Sequence, residues 1–166
     1  LDLAVLENGQ VTLNRQHGVL RDVIDRAVAA AGGGGIAIQR RRGAEGLALS
    51  TDLDRLSQVF INLIANAAKY CDAPQPELRI RLHHVDGLPV VDFSDNGSGI
   101  DVGSQRVIFE KFLRLGDHGK AGGAGLGLAI CREIMGRLGG SIAYLPGQGG
   151  AAFRVTLPQP LALAAQ

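Results

Sequence analysis

The feature that most constrains this chain is the stretch from Asp52 to Tyr70. Leu56, Phe60, Leu63, Ile64 and Ala67 recur there at helical spacing, the period of a helix that buries one side. Thr51 or Ser50 is expected to cap it. Beside the apolar side, not opposite it, run Asn62, Asn66, Lys69 and Tyr70. At about 100° per residue these four share roughly a quarter to a third of the circumference. Asparagine is a poor helix former, so two of them amid Phe60, Ile61, Leu63 and Ile64 lower stability unless something uses them. An amide oxygen can ligate a hard cation such as Mg²⁺. A lysine one turn on can meet a phosphate as a point charge, and an aromatic ring can lie against a base. A satisfied polar seam in the core accounts for the same stripe equally well.

Around this helix the periodicity switches repeatedly. Val11 to Leu13 reads as a short strand and Val19 to Ala31 as a helix, followed by a loop at Gly32 to Gly35. Ile36 to Arg40 and Leu47 to Leu49 read as strands. Leu78 to His84 and Val90 to Ser94 alternate as paired strands, with Asp86-Gly87 as the hairpin signal. Ser104 to Phe112 reads as a short helix, Gly116 to Gly123 as a polar glycine-rich loop, and Leu126 to Leu138 as a long helix stopped by Gly139-Gly140. Ser141 to Leu145 and Ala152 to Leu157 close as a hairpin. Strands and helices mix without regular alternation. This argues for an α+β two-layer sandwich, a mixed and mostly antiparallel sheet with helices packed on one face.

Three further segments carry chemistry-bearing residues. Asp95-Asn96-Gly97-Ser98-Gly99-Ile100 follows a strand directly. A carboxylate there can accept from an exocyclic amino group, and glycines let backbone approach a flat ring; the same residues also make an ordinary turn. Gly122 to Leu128 opens a helix, where free backbone N–H groups form an anion site. No Gly-Lys-Ser/Thr follows, so it is not a Walker loop, and Leu128 and Ile130 stand where a dinucleotide fingerprint needs its third glycine. Phe109-Glu110-Lys111-Phe112-Leu113-Arg114 precedes the loop, and Arg114 can reach a phosphate or serve as a surface arginine.

Composition narrows the function classes. Lysine and arginine total 17 against 16 acidic residues, a balance that argues against nucleic acid or an anionic membrane as partner. The basic run Arg40-Arg41-Arg42 is expected to be a solvated loop or strand end. No apolar stretch reaches the roughly eighteen residues of a membrane span. Cys71 and Cys131 lack metal-ligand spacing and are expected to be buried thiols, which fits a reducing, cytoplasmic setting.

Taken together, the four segments have the order and spacing of a known family. The chain resembles the catalytic domain of sensor histidine kinases, a branch of the gyrase, heat-shock chaperone and MutL ATPase superfamily with the Bergerat fold. Asn62-x-x-x-Asn66-x-x-Lys69-Tyr70 resembles its N box and Asp95-x-Gly97-x-Gly99 its first glycine box. Phe109 to Phe112 resembles the F box, and Gly123-x-Gly125-Leu126-Gly127-Leu128 the second glycine box. The resemblance implies that residues 1–9 end a dimerisation helix, 10–158 form the ATP-binding domain and 159–166 are a tail or linker. It implies ATP and Mg²⁺ as cofactors. Asp95 would bind the adenine amino group, with Gly97, Gly99 and Ile100 shaping the pocket. Asn66 would ligate Mg²⁺ beside Asn62, Lys69 and Arg114 would offset phosphate charge, and Tyr70 would flank the nucleotide. Gly123, Gly125, Leu126, Gly127 and Leu128 would present backbone to the phosphates.

The implied partners are the protein's own dimerisation domain, which carries the acceptor histidine, and a downstream response-regulator receiver domain. Superfamily ATPases carry a general-base glutamate at the position of Asn62; an amide cannot take a proton. His17 lacks the acidic neighbour and helical frame of a phosphoacceptor, His83 and His84 stand side by side on an expected strand, and His118 falls in the glycine-rich loop, so none of the four is expected to be the acceptor. Ala124 stands where the family often has threonine, which removes one hydroxyl near the phosphates. An ATP-binding regulatory module and a serine kinase of the anti-sigma type on the same fold are the alternative readings.

Overall fold

The computed structural model describes residues 12–32, 35–110 and 127–158. Seven strands and four α-helices occur among them: β1 (Gln16–Val19), α1 (Leu20–Ala31), β2 (Ala37–Arg40), β3 (Ala48–Thr51), α2 (Leu53–Tyr70), β4 (Glu77–Val85), β5 (Leu88–Asp95), α3 (Val102–Gln105), α4 (Gly127–Leu138), β6 (Ser141–Tyr144) and β7 (Ala152–Thr156). Five strands form the main sheet in the order β2-β4-β5-β7-β6, while β1 and β3 make a separate antiparallel pair. Only β2 and β4 run parallel; the other neighbours in the main sheet are antiparallel. This is the mixed sheet with helices on one face that the sequence pattern implies.

The period-two pattern decides which face the helices cover. Leu78 and Ile80 of β4, Val91 and Phe93 of β5 and Val155 of β7 are buried, whereas Arg79 and Arg81 between them are exposed. The buried set meets Leu56, Val59, Phe60, Leu63 and Ile64 of α2 and Leu20, Val23, Ile24 and Ala27 of α1. Phe60 and Phe93 meet at a centroid distance of 5.2 Å. Each such fully buried large side chain contributes roughly 1.5–3 kcal/mol by leaving water, so α2 is fixed to the sheet by its whole apolar side.

Several local expectations are corrected. The N-cap of α2 is Asp52, not Thr51 or Ser50. Thr51 still belongs to β3, opposite Gln16, so the break into the helix falls one residue later. Asp52 Oδ1 accepts from the Arg55 N–H at 3.1 Å, and its Oδ2 accepts from the Asn14 N–H at 2.9 Å. The first strand is Gln16–Val19; Thr12 and Leu13 lie outside any strand. The helix expected at Ser104 to Phe112 is short and begins earlier. Asp101 caps it through the Ser104 N–H at 3.0 Å. The bonds from Val107 to Ser104 and from Glu110 to Val107 then tighten the chain into three-residue turns. The β4–β5 hairpin turns at Asp86 and Gly87, both with positive φ of 53° and 80°, as the two-residue primed turn requires.

Arg40 is not a solvated strand end. Its side chain is 10% exposed and pairs with Glu45, itself 2% exposed, and with Asp25 at 2.8 Å. Arg42 closes on the same Asp25, and hydrogen bonding to Arg42 holds that carboxyl well below the usual carboxylate range. This ionic knot ties α1 to β2 and the 3₁₀ turn at Arg42–Ala44.

Candidate active site

A cleft of about 230 Å³ opens where the C-terminal end of α2, the end of β5 and the start of α4 converge. Asn66, Tyr70, Asp95, Gly97, Gly99, Ile100 and Leu128 all line it, so residues from three of the four motifs meet at one place. Apolar walls come from Leu63, Leu78, Phe93 and Phe153. A flat, apolar ring with a polar edge suits such a lining.

The turn after β5 sets the polar edge. Asp95 Oδ1 accepts from the N–H of Gly97 at 2.9 Å and from the N–H of Ala151 at 3.1 Å. Its other oxygen makes no hydrogen bond to a described residue. One oxygen is therefore spent on fixing the side chain, and the second is left to accept from a ligand. A Cβ on Gly97 would come within 2.8 Å of Asp72 Oδ1, and one on Gly150 would overlap the Asp95 carbonyl. Gly150 therefore requires glycine for close backbone approach, whereas a side chain at Gly97 would displace the Asp72 carboxylate. The Ile100 N–H donates to the Tyr144 hydroxyl at 3.2 Å, which braces the far side of the turn.

Asn62 and Asn66 part company. Asn66 lines the cleft, and its carboxamide makes no hydrogen bond to a described residue. Asn62 faces α4, where its amide lies 3.5 Å from the Gly127 carbonyl and 3.6 Å from Cys131 Sγ. Lys69 is exposed, with its ammonium 5.6 Å from the centre of the Tyr70 ring. Gly127 begins α4. Arg114, Gly123, Gly125, Leu126 and Ala124 lie outside the described residues, as do His118, residues 1–9 and the tail at 159–166.

Several contributors escaped the sequence reading. Asp72 accepts from the Ser98 N–H at 2.8 Å and from the Ser98 hydroxyl at 2.6 Å, clasping the end of α2 to the turn. Tyr144, Gly150, Ala151 and Phe153 come from the C-terminal hairpin. Cys71 is not buried: it lines the cleft, and its thiol lies 3.3 Å from Asn96 Oδ1. Cys131 is buried as expected, and burial pushes its thiol up to about 12. Among the described residues no cluster of three potential metal-ligating His, Cys, Asp or Glu side chains occurs. His83 pairs with Asp92 at 2.6 Å.

Residues 51–161 match the sequence profile described as Histidine kinase-, DNA gyrase B-, and HSP90-like ATPase. The chain belongs to this ATPase family. It is 39% identical over 165 residues to the sensor protein KdpD of Escherichia coli (strain K12), covering 98% of this chain and 18% of that protein. The Acinetobacter baumannii histidine kinase AdeS superposes with a TM-score of 0.71 at 25% identity, covering 94% of this chain and 73% of that one. Full-length ShkA, solved in complex with AMPPNP, gives 0.75 at 25% identity, covering 96% and 35%. These relatives place the chain in the histidine kinase branch, as its ATP-binding catalytic module. It spans under a fifth of the length of the KdpD proteins it matches.

Proposed function

We propose that this module binds ATP with Mg²⁺ and passes the γ-phosphate to a histidine outside the chain, from which a response-regulator receiver domain takes it in the cytoplasm. The observation that carries the reading is Asp95: one carboxylate oxygen is held by two backbone N–H groups beside an apolar slot, leaving the other for the adenine amino group. Phosphoryl transfer asks a protein mostly for positioning and charge stabilisation, and these residues supply both. Asn66 offers the hard oxygen that suits Mg²⁺, whose remaining ligands come from phosphates and water. When bound, the cation offsets phosphate charge. Gly127 lies in the N-terminal part of α4, and N–H groups at a helix N-terminus favour anions. Lys69 and Tyr70 follow Asn66 within about one turn, as the N box resemblance requires, with Tyr70 flanking the nucleotide. Arg114 and the glycines from 123 to 125 take their phosphate roles from the resemblance alone.

Asn62 supports transfer over hydrolysis. It faces α4 and has no basic atom with which to activate water. The test combines this module with the parent protein's histidine-bearing helical domain and Mg²⁺-ATP. Acid-labile phosphohistidine should form and should vanish in Asn66→Ala. Phosphoserine would sink this reading in favour of a serine kinase, and ATP binding without any transfer would leave a regulatory module. No helix among the described residues is long and apolar enough to cross a membrane.

A further inference from the structure

β4 outruns the strand beside it. β2 pairs with β4 only from Glu77 to Ile80, so Arg81 to Val85 have no strand on that side among the described residues. The ladder fixes which peptide groups face the gap. The Asp95 N–H bonds to the Ala151 carbonyl, away from β4, and Asn96 donates back to Glu77. Alternation along the antiparallel register then turns Arg79, Arg81, His83 and Val85 toward β5. Leu82 and His84 present their N–H and C=O groups to the open side. Two such residues at i and i+2 are what an added strand pairs with.

Charge selects the occupant. A groove of about 660 Å³ runs beside this edge, lined in part by Arg41, Arg79, Arg81 and Leu82. Arg40 and Glu45 in its wall offset each other. Arg41, Arg79 and Arg81 are exposed, and no described residue pairs with their guanidinium groups. Asp92, opposite Arg81 in the register, is occupied by Arg154 and His83. A second copy of this edge would bring like charges together, whereas an acidic strand matches both the arginines and the free peptide groups.

We propose that the open edge of β4 at Leu82 and His84 binds an acidic, extended segment of another protein as a sixth strand, with its carboxylates on Arg41, Arg79 and Arg81. This site lies outside the nucleotide cleft and does not depend on the kinase reading. The probe is a fluorescent peptide alternating glutamate and valine, titrated against the whole chain. Binding should be saturable and should fall roughly tenfold or more in Arg41→Glu/Arg81→Glu, with ATP affinity unchanged. Amide exchange at Leu82 and His84 should slow on binding. Backbone N-methylation in one alternating register should abolish binding, while the other register should be tolerated. No binding, equal tolerance of both registers, or competition by inorganic polyphosphate without slowed exchange under the peptide would overturn the proposal.

Discussion

Replacing Asp95 by asparagine tests the adenine seat at a single atom. In the native turn Oδ1 accepts from Gly97 and Ala151 at 2.9 and 3.1 Å. An asparagine can keep both bonds only by pointing its carbonyl oxygen the same way. Its NH₂ then occupies the place of the free carboxylate oxygen, so a donor faces the amino group of adenine. The fold should tolerate this, with a stability change within about 1 kcal/mol, because both backbone N–H groups stay satisfied. Nucleotide binding should not. Loss of one charge-assisted hydrogen bond is worth about 1.5–3 kcal/mol, which is about 10- to 150-fold in Kd. The polarity argument makes a sharper forecast: a 6-oxo purine triphosphate should lose much less than ATP, because its oxygen can accept from the new NH₂. Calorimetric titration of the variant with ATP and with inosine triphosphate measures both. An unchanged ATP affinity, or an equal loss for both nucleotides at unchanged melting temperature, would refute the assignment of that oxygen.

Gly150→Ala should lower ATP affinity by more than tenfold while leaving the α2 core folded, because its Cβ would overlap the Asp95 carbonyl; circular dichroism beside a binding titration separates the two effects. Asp72→Ala removes both bonds to Ser98 and should weaken ATP by about three- to tenfold at roughly 1 kcal/mol; Asp72→Asn should recover part of that loss, and a variant indistinguishable from wild type would show the clasp to be idle. Burial alone would raise the Asp92 carboxyl, but hydrogen bonds from Arg154 and His83 outweigh it and hold the group below its ordinary value. Its stabilisation is therefore present above about pH 4 and lost as pH falls through the folded value. Arg154→Gln should lower the melting temperature at pH 7 and flatten its fall toward pH 3, and parallel curves for the two proteins would contradict this.

The parts of the molecule legible in the sequence are those written in one contiguous period. Helix α2 announces itself because Leu56 to Ala67 repeat over several turns, and the Asp86-Gly87 hairpin because the turn chemistry sits between two alternating runs. The cleft was legible as far as its motifs run in order, and Asp95 and Asn66 do meet there. What stayed hidden is contact across the chain. Asp72 meets Ser98, and Gly150 meets Asp95, only because β4, β5 and β7 lie side by side. Gly149-Gly150 gave a signal, but a glycine pair before a strand reads as a loop until the neighbouring backbone is known. Asn62 and Asn66 look equivalent in the sequence. Residues four apart differ by about 40° around a helix, enough to send one amide to α4 and leave the other in the cleft. Arg40 is hidden in the same way: nothing in the sequence marks Asp25 and Glu45 as the carboxylates that draw it inward.

The brace between Asp95 and Ala151 has a consequence for how the protein is made. The turn that would seat adenine emerges from the ribosome before the segment that holds it, since Ala151 follows Asp95 by 56 residues. A nascent polypeptide can complete α2, β4 and β5 and still have no formed seat, because the Asp95 side chain lacks one of its two anchors until β7 docks. Nucleotide capture thus waits for β7, and a chain cut short before residue 150 would complete α2, β4 and β5 without the ability to recognise its ligand.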